Sequence, residues 1–173
     1  MSSVQWHQDV LDGLRANDVR LIVQVADRVL APIIRLMEAD SHFQVVTLTR
    51  EEEGIGILTG AYLGGKRGAL LLQSSGLGNT FNALGSLAIP YQIPFPMLIS
   101  QRGSFGEHNL VQLAMGRGAP RMLDALGIQV FDITTPDDVR YVVENGTKHA
   151  LVSRRPVALT IATQLSGGAL GSR

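Results

Sequence analysis

The chain has 173 residues, enough for one domain with a real core, and 45% of them are hydrophobic while 17% are charged. Its 15 basic and 15 acidic residues cancel to a net charge of zero, so the basic excess that is typical of nucleic-acid-binding proteins is missing. The sequence contains no cysteine, which excludes disulfides, thiolate metal ligands and thiol nucleophiles.

The amino-terminal stretch has no basic region followed by an apolar run, so we expect no signal peptide. No window holds the long apolar run that a membrane span needs. These features predict a cytoplasmic protein that binds neither membrane nor nucleic acid.

Apolar periodicity predicts alternating helices and short buried strands along the chain. Predicted helices cover residues 4–17, 27–39, 50–65, 78–89, 108–127 and 135–154. Predicted strands cover residues 19–26, 43–49, 68–73, 95–100, 128–133 and 156–163. Asp27 is the expected N-cap of the second helix and Pro136 the expected start of the last, and a break is expected at 116–120.

The strands are continuous hydrophobic runs, a pattern typical of a parallel sheet that is covered on both faces. We therefore predict a doubly wound α/β fold with a mostly parallel six-stranded sheet. Residues 1–165 should form one domain and residues 166–173 a flexible tail. Ligands of such sheets bind at the carboxyl ends of the strands, which here are followed by loops at 49–53, 74–79 and 100–109.

Three consecutive glutamates, Glu51 to Glu53, open the third predicted helix. Thr49 and Glu52 have the spacing of a capping box, and acidic residues in a first helical turn complement the helix dipole. Capping explains Glu52 well and Glu51 or Glu53 tolerably. Its position at the expected ligand-binding edge leaves open that one of the three carboxylates works in a site.

Two glycine-rich stretches have partial similarity to phosphate-binding and dinucleotide-binding motifs. "GAYLGGK" fails as a phosphate loop because Arg67 replaces the required hydroxyl residue and because the segment leaves a helix and enters a strand. "SSGLGNTF" follows a strand and opens a helix, but Phe81 occupies the third glycine position of a dinucleotide fingerprint. Either the backbone of this turn approaches a ligand, or the stretch is a tight turn with Asn79 as the cap of the helix that follows.

"SQRGSFGEHN" follows the fourth predicted strand and contains Arg102, Glu107 and His108. An arginine fork suits a carboxylate, phosphonate or sulfonate, but a solvated loop charge is the simpler interpretation. Histidines and carboxylates are scattered, so the sequence predicts no metal site and no Ser–His–Asp triad.

The joined stretches "TREEEGIGILTGAYLGGKRGALLLQSSGLGNTFNALGSL" and "PYQIPFPMLISQRG" resemble the pyrimidine-binding (PYR) domain of thiamine-diphosphate-dependent 2-oxoacid decarboxylases. The similarity is greatest to sulfopyruvate decarboxylase α subunits and to phosphonopyruvate decarboxylases, and it covers residues 4–163. It implies the thiamine-diphosphate-binding fold and decarboxylation of a small 2-oxoacid that carries a distal sulfonate or phosphonate.

The resemblance also implies roles for individual residues. In that family a glutamate nine residues before a helical glycine hydrogen-bonds N1′ of the cofactor and favours its imino tautomer; Gly60 selects Glu51. The family turn corresponds to residues 73–79, and it implies cofactor contacts at 75–79. Within this turn Ser74 replaces the usual asparagine. Substrate contacts are expected from Arg102, Gln101 and His108. The cofactor-binding set is Glu51, Ser75, Gly76, Leu77, Gly78 and Asn79.

These enzymes hold the diphosphate and Mg²⁺ through a Gly-Asp-Gly motif and a distant Asn-Asn, and this chain contains no Gly-Asp-Gly. The resemblance therefore implies a β subunit that carries the diphosphate-binding (PP) domain and supplies Mg²⁺, in a homo- or hetero-oligomer that is active only when assembled. Two alternatives stay open: a carboligase subunit, and a non-catalytic binding or scaffold subunit that kept the fold.

Overall fold

The computed structural model describes residues 5–105 and 107–165, and the tail predicted at 166–173 lies outside them. One parallel sheet has the strand order β2-β1-β3-β4-β6-β5. The strands are β1 (Val19–Gln24), β2 (Gln44–Thr47), β3 (Arg67–Gln73), β4 (Pro96–Ser100), β5 (Val130–Ile133) and β6 (Val157–Ile161). The helices are α1 (Gln5–Arg15), α2 (Ala31–Glu38), α3 (Glu51–Leu63), α4 (Leu77–Ala83), α5 (Leu110–Ala125) and α6 (Val139–Ser153). The predicted six-stranded, doubly wound architecture is confirmed.

The sheet separates two apolar layers, because successive side chains of a buried parallel strand point to opposite faces. One layer contains buried residues of α1, α2 and α6, such as Trp6, Ile33 and Val143. The other contains buried residues of α3, α4 and α5, such as Ile55, Leu77 and Leu123. None of the helices within the described ranges is long and apolar enough to cross a membrane.

The predicted break at 116–120 is wrong, because α5 runs without interruption through Pro120. A proline has no N–H, so the carbonyl of Gly116, four residues earlier, loses its helical partner. Gln101 replaces that partner: its Nε2 donates to the Gly116 carbonyl at 2.8 Å and to the Arg102 carbonyl at 2.9 Å. A side chain from the loop before α5 thus satisfies the carbonyl that the proline leaves without a helical donor.

Two helix starts also differ from the prediction. α2 begins at Ala31, with Leu30 as its N-cap, so Asp27 is not the cap of the helix proper. Instead, Oδ1 of Asp27 accepts from the N–H groups of Val29 and Leu30 at 2.9 and 3.1 Å, and caps the turn that precedes the helix. Pro136 opens a short 3₁₀ segment, Pro136–Asp138, that leads into α6.

The carboxyl ends of the strands form one edge of the sheet, as the parallel arrangement requires. From β1 the chain goes to β2 on one side and later to β3 on the other, so the switch in strand order lies between β1 and β3. α3 begins at this edge after β2, and α4 begins there after β3. Crevices at such a switch point are where open α/β sheets bind ligands.

Candidate active site

The carboxylate of Glu51 lies directly over the glycine turn that follows β3. A Cβ built on Gly76 would collide with the Glu51 side chain, at 2.6 Å from its Cδ. Nδ2 of Asn79 donates to the other carboxylate oxygen, Oε2, at 2.8 Å. The missing side chain at position 76 therefore makes the space that Glu51 occupies, and Asn79 holds the carboxylate there.

The predicted capping box of Thr49 and Glu52 is wrong. Arg50 is the N-cap of α3 and no side chain caps it. Glu53 reaches back instead, since its Oε2 accepts from the Thr49 N–H at 3.0 Å. Glu52 bonds to Arg50 Nε at 2.6 Å, and this hydrogen bond lowers the pKa of Glu52. Glu52 and Glu53 thus serve the helix start, and Glu51 alone of the run reaches the turn.

The alternative in which Asn79 caps the next helix is also wrong. α4 starts at Leu77 with Gly76 as its N-cap, so Asn79 lies within the first turn. The side chain of Asn79 is thereby free to face Glu51 rather than its own backbone. Gly78 packs beside α5, where an added Cβ would lie 3.0 Å from Cε of Met115. Of the predicted cofactor residues 75–79, Gly76 and Asn79 contact Glu51, while the side chain of Leu77 packs in the apolar layer.

A polar network continues from this turn to the end of β1. Oγ of Ser75 donates to Oε1 of Gln73, and Nε2 of Gln73 donates to Oδ2 of Asp27 at 2.8 Å. Asp27 is 8% exposed and lines a cleft of about 410 Å³ beside α2. Gln24 also lines this cleft, and its Oε1 is buried without a hydrogen-bond partner in the described part of the chain.

Asp27 lies at this edge and lines the cleft, although the sequence pattern predicts it only as a helix cap. The pattern favours a cap because an aspartate that precedes a helical pattern is usually one. A signal was available, since Asp27 directly follows an apolar strand, and side chains in that position point to the ligand-binding edge.

Ser74 connects the glycine turn with the loop that follows β4. Its side chain is fully buried, and its Oγ accepts from the Arg102 N–H at 3.1 Å. The Ser74 N–H in turn donates to the Ser100 carbonyl at 3.1 Å. Ser74, which replaces the family's asparagine, therefore connects the two loops by hydrogen bonds.

Arg102 forms a two-pronged ion pair with Glu107. Nε and Nη2 donate to Oε2 and Oε1 of Glu107 at 2.7 and 3.1 Å. The side chains are 15% and 3% exposed, so this is a buried pair rather than a solvated loop charge. The hydrogen bonds from Arg102 hold the pKa of Glu107 at about 2, and the same bonds raise the pKa of Arg102.

The other two predicted substrate residues lie differently. Gln101 uses its amide nitrogen to support α5, as described above, and it holds the carbonyl of Arg102 in the same contact. Gly103, with φ +74°, packs against the middle of α5, where an added Cβ would lie 3.0 Å from Cα of Gly116. His108 is exposed next to the N-cap of α5, Asn109.

No family model matches the chain. It is 38% identical over 152 residues to "Sulfopyruvate decarboxylase subunit alpha" of Methanococcus maripaludis, covering 88% of this chain and 91% of that one. It is 38% identical over 159 residues to "Sulfopyruvate decarboxylase" of Methanosarcina acetivorans, covering 90% of this chain but 40% of that one. "Phosphonopyruvate decarboxylase" of Streptomyces viridochromogenes is 36% identical over 117 residues, covering 67% of this chain and 30% of that one.

A similar fold occurs in a solved structure of 2-oxoglutarate:ferredoxin oxidoreductase from Magnetococcus marinus, with a TM-score of 0.70 and 15% sequence identity. The superposition covers 96% of this chain and 29% of that one. At this level of identity the likeness concerns the fold, which confirms the predicted architecture.

Proposed function

The chain belongs to the family of sulfopyruvate decarboxylase alpha subunits, and from this premise we propose that it supplies the Glu51 half of a thiamine-diphosphate site shared with a second subunit. The observation that carries the proposal is the Glu51 carboxylate, which lies over Gly76 at the ligand-binding edge of the sheet. A carboxylate in that place can exchange a proton with a ligand that enters the same crevice.

The residues present fit the aminopyrimidine end of the cofactor. Gly76 has no side chain, so the Glu51 carboxylate can lie against the turn, at the edge where a ligand enters the crevice. Asn79 donates to Oε2 of Glu51 and so fixes the orientation of the carboxylate, while Oε1 faces the turn. When bound, thiamine diphosphate supplies the electron sink for loss of CO₂ from a 2-oxoacid. The task of Glu51 is to hold and move the proton at the pyrimidine N1′.

The charged end of the cofactor needs a second subunit. No cluster of His, Asp and Glu that could hold a metal occurs among residues 5–105 and 107–165. The relative from Methanosarcina, whose name specifies no subunit, is about two and a half times as long as the part that this chain covers, since that part is 40% of its length. We propose that the PP domain and its Mg²⁺ come from a β subunit that packs on the site edge.

Exposed apolar side chains near Arg102 support such a partner. Phe105, Leu110 and Val111 are 87%, 80% and 75% exposed, in the loop and the first turn of α5 that follow Arg102. Exposed large apolar side chains that occur within one short segment are a feature of surfaces that bind another protein.

For the substrate, we propose a 2-oxoacid whose distal anion is met by Arg102, with His108 in the same loop. Gln101 supports this loop through its bonds to the Arg102 and Gly116 carbonyls. Arg102 lies beside the glycine turn, because its N–H bonds to Ser74, two residues before Gly76. An arginine fork pairs well with the oxygens of a sulfonate or phosphonate.

The test is co-expression of this chain with a candidate β subunit that carries Gly-Asp-Gly and Asn-Asn, followed by an assay over a panel of 2-oxoacids. We expect decarboxylation of sulfopyruvate or phosphonopyruvate by the complex, and neither turnover nor tight Mg²⁺-dependent cofactor binding by the chain alone. Tight binding of thiamine diphosphate by the isolated chain would contradict the shared site. A complex that forms but decarboxylates none of the panel would favour the scaffold alternative, and C–C bond formation would favour the carboligase.

A further inference from the structure

The guanidinium of Arg102 has two edges that can each pair with an anion. The side edge, Nε with one hydrogen of Nη2, is taken by Glu107. The end edge consists of Nη1 and the second hydrogen of Nη2. Within residues 5–105 and 107–165 this end edge forms no hydrogen bond at all, although the side chain is only 15% exposed. Arg102 can therefore meet a ligand without giving up Glu107.

Glu107 is itself held firmly in place. Its Oε1 accepts from the Asn109 N–H at 2.9 Å as well as from Nη2 of Arg102. The side chain is 3% exposed, and its carboxylate stays ionised at any physiological pH because its pKa is about 2. Removing a buried, paired charge of this kind is costly, so the Arg102–Glu107 pair is a fixed unit of the loop.

The pair sets the electrostatic character of the subsite. Arg102 contributes one positive charge and Glu107 one negative charge, so the pair is neutral overall. Asp27, from the end of β1, is a further carboxylate whose charge acts on Arg102. The end edge thus offers directed N–H donors but little net positive potential. Such a subsite suits an anion with a single charge and gains little from a second one.

We propose that Glu107 is a specificity-determining residue, which positions Arg102 edge-on and biases the distal-anion subsite toward a monoanionic sulfonate over a dianionic phosphonate. This inference rests on the proposed role of Arg102 in substrate binding. A sulfonate carries one charge throughout the neutral range, whereas a phosphonate gains its second charge there. The two substrates named by the relatives differ in just this property.

The experiment measures binding of sulfoacetate and phosphonoacetate, two non-reacting probes, to the complex of this chain with its partner by calorimetry. The readout is the ratio of the two dissociation constants, which a general loss of structure would not shift in one direction. For Glu107→Gln we expect phosphonoacetate to gain about 10-fold relative to sulfoacetate, as expected when one unit charge is removed a few ångströms away. Glu53→Gln, which removes a carboxylate from the helix start, should leave the ratio unchanged.

A second measurement uses the wild-type complex and so does not depend on the folding of a variant. As the pH rises through the second ionisation of the phosphonate, its affinity should stay level or fall. An affinity that rises about 10-fold with the second charge, or an unchanged ratio in a folded Glu107→Gln complex, would overturn the inference.

Arg102→Ala separates this inference from the proposed function. If Arg102→Ala weakens both probes while Glu107→Gln leaves their ratio unchanged, only the role of Glu107 is refuted. If Arg102→Ala weakens neither probe, the proposed contact between Arg102 and the distal anion fails, and the role of Glu107 fails with it.

Discussion

The charged groups of Glu51 and Arg102 lie at two corners of the same sheet edge, and their surroundings differ. At the Glu51 corner, a carboxylate faces a glycine turn, and its bonded partner is the neutral amide of Asn79. At the Arg102 corner, the charge is already neutralised by the buried carboxylate of Glu107. A group that must exchange a proton needs an environment that does not fix its charge, whereas a group that only orients a ligand works best when held rigidly.

The two corners also differ in the interactions that hold them in place. Close packing shapes the Glu51 corner, because Gly76 makes room for the carboxylate. Hydrogen bonds shape the Arg102 corner, through Ser74, Gln101 and Glu107. Substitutions that add volume should therefore damage the first corner, and substitutions that remove a polar partner should damage the second.

Among substitutions that change the packing or polar support of a corner, the largest effect is expected from Gly76→Ala. The new Cβ would overlap the side chain of Glu51, and the carboxylate is the end of a flexible chain that can swing away. We predict a fall in turnover of about 100-fold in the assembled enzyme, since small displacements of reacting groups cost that much. Unfolding in urea should show a smaller change in stability.

Gly56→Ala is the matched control, because no heavy atom lies within 4 Å of a Cβ built on this glycine of α3. It should stabilise the chain by about 0.5–1 kcal/mol, as alanine does in a helix interior, and leave turnover unchanged. Full activity of Gly76→Ala would contradict the packing account of the Glu51 corner.

Arg102→Ala should raise the KM for the anionic substrate by about 10–100-fold, the range of one or two lost charge-assisted hydrogen bonds. If the contact is equally good in the ground and transition states, kcat should change less than KM. Arg20→Ala removes an arginine from the exposed ion pair with Asp18 and should leave KM unchanged. An unchanged KM in the Arg102→Ala enzyme would leave Arg102 with a structural role only.

A double-mutant cycle tests the support of the Arg102 corner by Gln101. Gln101→Ala leaves the Gly116 carbonyl without its donor, and we expect a loss of about 1–3 kcal/mol in the free energy of unfolding. In a Pro120→Ala background the residue at position 120 regains an N–H, so Gln101→Ala should cost less. Equal costs in the two backgrounds, measured by urea unfolding, would show that Gln101 does not replace the missing helical bond.

A further effect is predicted on stability in acid. The folded-state pKa of Glu107, about 2, is below its ordinary value of 4.5, so the stabilisation is complete above about pH 4.5 and is lost as the pH falls toward 2. Glu107→Gln has no such proton to gain. Its stability should therefore change less with pH in this window than that of the wild-type chain, and parallel acid curves would count against the buried pair.

Much of the architecture could be predicted because it depends on local patterns. The apolar runs predicted six parallel strands, as observed. The parallel order predicted that residues 49–53, 74–79 and 100–109 lie at one edge. The details that failed depend on contacts between distant residues. In α5 the Gly116 carbonyl, which Pro120 leaves without a helical donor, is satisfied by Gln101, and at the start of α3 Glu53 rather than Glu52 bonds to the backbone.

The sequence predicted which residues lie at the site better than it predicted their hydrogen-bond partners and burial. The resemblance selected Glu51 and Arg102, and the structure puts both at the expected edge. The partner of Arg102 could not be read from spacing, since Glu107 is five residues away on a loop and its burial depends on the fold. Asp27 was assigned to a helix cap because local propensity cannot show that a strand end faces a cleft.

The most direct test of the shared-site account is the rate at which the assembled enzyme exchanges the C2 proton of thiamine diphosphate for deuterium. For Glu51→Gln we predict a fall of about 10²–10⁴-fold, the usual contribution of a general acid–base group, because the amide keeps the shape but cannot manage the proton. Glu52→Gln and Glu53→Gln should exchange at nearly the wild-type rate. Equal, small losses in all three variants would contradict the account and reduce the three glutamates to a charged helix start.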